Sequence, residues 1–334
     1  MTFLASTSVA QACELRLVSR EVNKSVISSV FRDLLFTTPE QVIRFSNTLH
    51  PKSKVIVPAL KRRLHTLPLN ILQCAVESLT LVVPNTLPSI ETSLSHVAPL
   101  LTRIRKLAIT GQQLASNAYW LRMHEIRPQH MMILHHGVPP LVNFYEPIFQ
   151  SVTHLYTSSL FGHHNGSSIL SMPSITHLAV STRTNIALQC RERVIAFLHT
   201  ILTEEPTSKT LQMVVLSLNC GVSPSYRADP WLYALRSCMV DKRFILLPYS
   251  QSARTEWEDT LTENHDIWSR ANTWRELESS PDTAANHMKK EMIVRDLQCK
   301  ERRSTAGEWM VDLVQREDYH QEPIDPGERN EFRM

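Results

Sequence analysis

The sequence predicts an α/β chain: a leucine-rich-repeat-like solenoid with a parallel sheet and helical caps at both ends. Three observations carry this expectation. A short strand-like phrase recurs, most plainly as Ile175-Thr176-His177-Leu178-Ala179-Val180 and Val152-Thr153-His154-Leu155-Tyr156-Thr157. Its apolar pattern returns around Leu79, Leu107 and Val214, with a degenerate copy around Met131. The central apolar residues Leu79, Leu107, Met131, Leu155, Leu178 and Val214 are then spaced by 28, 24, 24, 23 and 36 residues. Such periods mark repeat units that bury their apolar faces against one another. Helical periodicity fills the intervals, and strands alternating with helices pair in parallel through crossovers.

The elements follow in order. Residues 15–36 open the folded part: Leu15, Val18, Val22, Val26 and Val30 share one helical face, and residues 31–36 read as a strand. Thr37-Thr38-Pro39-Glu40 is a helix start, with a threonine cap, proline in the first turn and an acid at the positive end of the dipole. That helix carries Val42, Phe45 and Leu49. Residues 55–72 have no clear period. Lys61-Arg62-Arg63 reads there as a solvated helix face, because no wider basic field with aromatics surrounds it.

From Val76 the rhythm becomes strand, loop, helix. Helices are expected over residues 91–103 (Leu94, Val97, Leu100 and Leu101 inward), 112–125 (Leu114, Trp120, Leu121) and 191–203 (Val194, Phe197, Leu198, Ile201, Leu202). A short one over 140–150 is interrupted by Pro147, and another starts at Asp229-Pro230-Trp231. Residues 244–248 close the sheet. Trp257, Trp268 and Trp274 form the core of a helical cap over the last repeat, which would otherwise expose apolar surface. Residues 282–334 hold 9 Lys and Arg against 12 Asp and Glu, a net charge of −3, and read as a partly helical to disordered tail. The expected plan is a first unit over 1–36, a repeat domain over 37–250, a cap over 251–281 and the tail.

Composition removes several functions. A net charge of +3 on 334 residues gives no electrostatic case for nucleic acid or an anionic membrane as partner. No apolar run approaches the roughly 18 residues a membrane span needs. Residues 1–12 lack the basic start of a secretory leader, so none is expected. Six cysteines without a Cys-x-x-Cys pair read as reduced residues of a cytoplasmic or nuclear protein. Only seven glycines are present, with no phosphate-cradling cluster and no Gly-x-Ser-x-Gly elbow. No cofactor and no catalytic residue is therefore expected.

Histidine, with 15 copies, is the residue type to follow. Aligning the repeats puts Ser78, Lys106, His130, His154, His177 and Met213 in one column, and Thr80, Ala108, Met132, Tyr156, Ala179 and Val215 in a second. Strand neighbours alternate faces, so if the central leucines point inward both columns face the open side of the sheet. Lys106, His130, His154, Tyr156 and His177 are then the expected protein-binding face, with a histidine ladder changing charge between about pH 5 and 7. The plain alternative is a polar solvent-facing row without a ligand. His135-His136 and His163-His164 are a weaker metal reading, because adjacent strand residues face opposite ways and no carboxylate or cysteine stands at ligand spacing. Asn165-Gly166-Ser167 reads as a turn.

Three stretches together resemble a known family. Residues 14–23, Glu-Leu-Arg-Leu-Val-Ser-Arg-Glu-Val-Asn, running into Phe31-Arg32-Asp33-Leu34-Leu35-Phe36, resemble the last helix and exit strand of an F-box. The Ile-Thr-His-Leu-Ala-Val phrases resemble the repeats of the fungal F-box and leucine-rich-repeat-like family. Residues 242–248, Trp257-Glu258 and residues 266–271 resemble the ending of those proteins. The resemblance implies a substrate receptor of a cullin-type ubiquitin ligase, with Leu17, Val18, Val22 and Phe31 as the remnant of the surface that meets a Skp-type adaptor. The Leu-Pro-x-Glu-like start and the two adaptor-gripping helices have no counterpart ahead of Leu15. The alternative is a plain interaction scaffold with no ligase link.

Overall fold

The computed structural model describes residues 29–49, 73–83, 88–134, 142–157, 166–183, 188–203, 210–219, 235, 238–247, 251–262 and 265–279. Their centre is one eight-stranded parallel sheet whose strands lie in chain order. The strands are β1 (Asp33–Phe36), β2 (Ser78–Leu81), β3 (Lys106–Thr110), β4 (His130–Leu134), β5 (His154–Thr157), β6 (His177–Arg183), β7 (Met213–Asn219) and β8 (Phe244–Leu247). Parallel neighbours cannot be joined by a hairpin, so every connection crosses over and lays the next strand on the same growing edge.

The register is the one the repeat spacing predicts. Leu79 lies beside Leu107, followed by Met131, Leu155, Leu178 and Val214. The degenerate copy at Met131 is a full strand, and Leu34 and Phe244 extend the row at its two ends. The entry to successive strands is built alike: one carbonyl accepts two consecutive N–H groups of the next unit. Arg32 O takes Glu77 and Ser78, Glu77 O takes Arg105 and Lys106, and Arg105 O takes Gln129 and His130, all within 2.8–3.2 Å. Gln129 O, Thr153 O and Thr176 O continue the pattern to β7. A carbonyl has two lone pairs, so each junction is satisfied without side-chain help.

Among the described residues four helices cover the leucine face: α1 (Pro39–Leu49), α2 (Pro88–Val97), α3 (Gly111–Met123) and α4 (Leu188–Thr203). α1 begins where its cap residues predict. Gln41 Oε1 accepts from Thr37 N at 2.7 Å, and Thr38 Oγ1 accepts from Gln41 N at 3.4 Å. α2 stops at Val97, short of the expected residue 103. Pro99 lacks an N–H and its ring crowds the preceding turn, so the chain runs on as the 3-10 turn Ala98–Leu100. α3 follows β3 directly, with Thr110 Oγ1 accepting from Gln113 N at 3.1 Å. After β4 and after β5 the described residues hold the 3-10 turns Pro147–Phe149 and Gly166–Ser171.

Two expectations about organisation are corrected. The C-terminal helices α5 (Ala253–Thr262) and α6 (Ile267–Ser279) pack against the last strand, β8, but are not confined to the end of the array. They lie across the second face, packing Trp257, Ile267, Trp268 and Trp274 onto Ala108, Met132, Tyr156, Ala179 and Val215. The sheet is thus buried on both sides over most of its width, as parallel sheets are. The boundary expected at residue 36 divides this sheet, because β1 pairs with β2 and adds Leu34 and Phe36 to the common core. Residues 15–28, Lys61-Arg62-Arg63, the helix start at Asp229-Pro230-Trp231 and the tail from 282 lie outside the described residues. No helix among the described residues is long and apolar enough to cross a membrane.

Candidate functional site

The histidine column forms as the register requires. His130, His154 and His177 are the first residues of β4, β5 and β6 and stand side by side. Their rings stack with centroids 4.3 and 4.2 Å apart and planes within 8° and 10° of parallel. The threonine before each of the last two orients its ring. Thr153 Oγ1 lies 2.9 Å from His154 Nδ1 and donates toward Gln129 O at 3.1 Å. Thr176 Oγ1 repeats this at 2.8 Å from His177 Nδ1 and 3.0 Å from Thr153 O. The Thr-His dipeptide is therefore a structural unit, a ring braced against the carbonyl of the preceding repeat.

The face these residues occupy is not open. Trp268 of α6 sets its ring edge-on to His154 at 5.3 Å and to His177 at 5.4 Å. Lys106 Nζ donates to Thr260 O at 2.8 Å, on the last turn of α5 where carbonyls lack intrahelical partners. Tyr156, expected on the binding face, is buried under both helices. Lys106, His130, His154 and His177 are half-buried at the same contact. The expected binding strip is thus an internal seam. The second column explains why: Ala108, Met132, Tyr156, Ala179 and Val215 make an apolar face that exposure to water would penalise.

Burial also changes the chemistry expected of the ladder. Desolvation, then the neighbouring His130 and His177 rings, hold His154 down at about 3. Desolvation lowers His177 too, partly offset by the Asp266 carboxylate. In place, His154 does not titrate between pH 5 and 7 as the open-face reading requires, and His177 is shifted in the same direction.

The seam is closed by charge as well as by tryptophan. Arg270 of α6 places Nη2 2.5 Å from Glu256 Oε1 and Nη1 3.6 Å from Asp259 Oδ2, both on α5. All three side chains are buried, and Nη1 also donates to His265 O at 3.0 Å.

An accessible site lies on the opposite side of the sheet, where residue patterns had suggested only core. A groove of about 200 Å³ runs between α3, along Leu114, Ala115, Ala118 and Arg122, and the turn holding Ile148 and Phe149. The same two segments hold three large side chains that face water: Tyr119 (68 % exposed) and Met123 (61 %) on α3, and Tyr145 (71 %) ahead of the turn. Both walls are fixed. Asn117, wholly buried, accepts from Trp120 Nε1 at 2.5 Å and donates to Gln113 O at 2.7 Å, while Gln113 Nε2 reaches Val83 O at 3.1 Å. This anchors the inner face of α3, so Tyr119 and Met123 point outward. In the other wall Asn143 Oδ1 accepts from Tyr145 N at 3.2 Å, and the 3-10 turn that follows starts on Pro147. The available signal was the placement of Tyr119 and Met123 four residues apart, away from Leu114 and Leu121.

Of the adaptor-surface remnant, Leu17, Val18 and Val22 lie outside the described residues. Phe31 is half-buried with its ring centroid 6.4 Å from that of Phe45. His135-His136, His163-His164 and Asn165 also lie outside them. Among the described residues no three His, Cys, Asp or Glu side chains converge on a possible metal position. Comparison of the chain with protein-family models, with curated proteins and with solved structures returned no match.

Proposed function

We propose that this chain is a non-enzymatic protein-binding repeat protein, built as a leucine-rich-repeat-like solenoid, whose partner docks on the groove between α3 and the Pro147–Phe149 turn. The repeated junction, in which one carbonyl takes two N–H groups of the next unit, supports the solenoid reading. The observation that carries the binding reading is a mostly apolar groove whose two walls belong to segments that also hold Tyr119, Met123 and Tyr145 in water. Tyrosine, methionine and arginine are the residues that interfaces concentrate, and a large apolar side chain of a partner filling such a pocket is the usual anchor.

The occupant this groove fits is a protein segment with one bulky apolar side chain and an adjacent carboxylate. Its volume takes about one large side chain. Arg122, exposed at the end of α3, offers a cation on one wall, while Glu146 on the other accepts from Asn143 Nδ2 at 3.4 Å, so the partner's carboxylate would sit at the Arg122 side. Selection of a displayed random peptide library on the purified chain tests this. Enriched peptides should share an aromatic or leucine beside Asp or Glu, and lose at least about tenfold in affinity to Arg122→Glu and to Ala118→Trp, which fills the groove. Enriched peptides that bind both variants as well as the parent, or no enrichment, would defeat the reading.

A tie to a cullin-type ubiquitin ligase is the more specific form of this function. It is supported by the resemblance of residues 14–36 to an F-box ending, and by Phe31 and β1 leading straight into the first repeat. Copurification with a Skp-type adaptor is its test. Failure would leave the plain scaffold, with the groove reading untouched.

A further inference from the structure

The helix pair α5–α6 is held on the sheet by devices of two kinds. The tryptophans carry no group that titrates in mild acid. The three stacked imidazoles do, and each ring is pressed against the next and, for two of them, against Trp268. We propose that the His130–His154–His177 stack is an acid-sensitive clasp: neutral rings hold α5–α6 on the sheet, and protonation releases the pair and uncovers the second face.

The geometry leaves no room for charge. Rings about 4.2 Å apart cannot all become cations without strong repulsion, and the seam shields them from water. The other charged groups at the seam divide. Lys106 extends the column on β3, its ammonium on Thr260 O, and opposes a further cation. Arg270 on α6 is engaged with Glu256 and Asp259 on α5. Glu256 lines the same small cavity as His130, His154 and Tyr156 and favours a cation there. Asp266, at the start of α6, favours the charged form of His177. His265 precedes it and is exposed. Tyr156 on β5 holds its proton and contributes no charge. Burial and mutual repulsion outweigh the two carboxylates at His154, which stands between the other two rings. Released from the seam, the same rings return to their ordinary range near 6.5 and take up protons. Release therefore becomes easier as pH falls below about 6.5, a sign set by the higher proton uptake of the open form.

Hydrogen exchange resolved by peptide tests the clasp on the full chain. After correction for intrinsic rates, exchange in residues 253–279 should rise about tenfold or more between pH 7.5 and 5, with partial solvent exposure of the rings already allowed for. β3–β6 should keep their protection, because their hydrogen bonds run to neighbouring strands. Replacing His130→Phe, His154→Phe and His177→Phe together keeps the stack without a proton site and should flatten the response. A pH-independent parent, joint loss of protection in strands and helices, or an unchanged response in the phenylalanine variant would overturn the proposal. If that variant does not fold, imidazole titration of the parent by NMR decides. Rings taking protons well below 6.5 together with α6 resonance shifts support the clasp, and titration near 6.5 without such shifts refutes it.

Discussion

The indole Nε1 of Trp257 donates a 2.6 Å hydrogen bond to Thr80 Oγ1 across 177 residues of chain. It fastens α5 to β2, the far side of the sheet from β8, so two helices span nearly the whole second face. Leu35, next to Thr80 on β1, lies beyond their reach and is half exposed. Both partners are buried, so losing the donor strands the hydroxyl in an apolar seam. Trp257→Phe should cost about 1–3 kcal/mol in denaturant unfolding, and Trp257→Ala about 3–5 kcal/mol. A phenylalanine variant as stable as the parent would show that this bond does not hold the helix.

Arg270 is the second fastening. It stands between Glu256 and Asp259 with none of the three more than 6 % exposed. Removing the cation leaves two carboxylates facing each other out of water. Arg270→Ala should destabilise the protein by about 3–5 kcal/mol. Arg270→Lys should recover only part of this, because an ammonium lacks the planar fork that reaches both acids. Chemical denaturation of the two variants checks the order; a loss under about 1 kcal/mol for alanine would mean that water reaches the cluster.

Tyr156 sets the alkaline limit. Burial, then the Glu256 carboxylate, pushes its phenol up from the ordinary value near 10. An acid whose folded pKa is raised keeps its proton in the fold after the unfolded chain has lost it. Its stabilisation is therefore complete below about pH 10 and declines as pH rises beyond it. Stability should fall by about 1 kcal/mol between pH 9 and 11, and Tyr156→Phe should remove that part of the decline. An identical slope in the variant would refute the assignment.

Much of the sheet was legible in the residues. Leu107, Leu155 and Leu178 are buried side by side because a strand alternates faces with period two, and a repeat of fixed length brings equivalent positions together. Met131 could be placed on spacing alone. The extent of α2 was misjudged at Pro99, where a local rule outweighs the apolar stripe. The site was harder. The column of His130, His154 and His177 was readable as a row, but its surroundings were not, since polar residues on a strand look alike whether water or a helix covers them.

By itself, then, the sequence determined which residues share a strand, which strands adjoin and in what register. Those relations rest on period and spacing, which are properties of neighbouring residues. Only the tertiary structure decided which face stays open. Trp257 and Trp268 return from the far end of the chain to bury Tyr156 and the histidines. On the other side Tyr119, Met123 and Tyr145 stay in water. Exposure depends on what the rest of the molecule places opposite a side chain, and no local pattern contains that information.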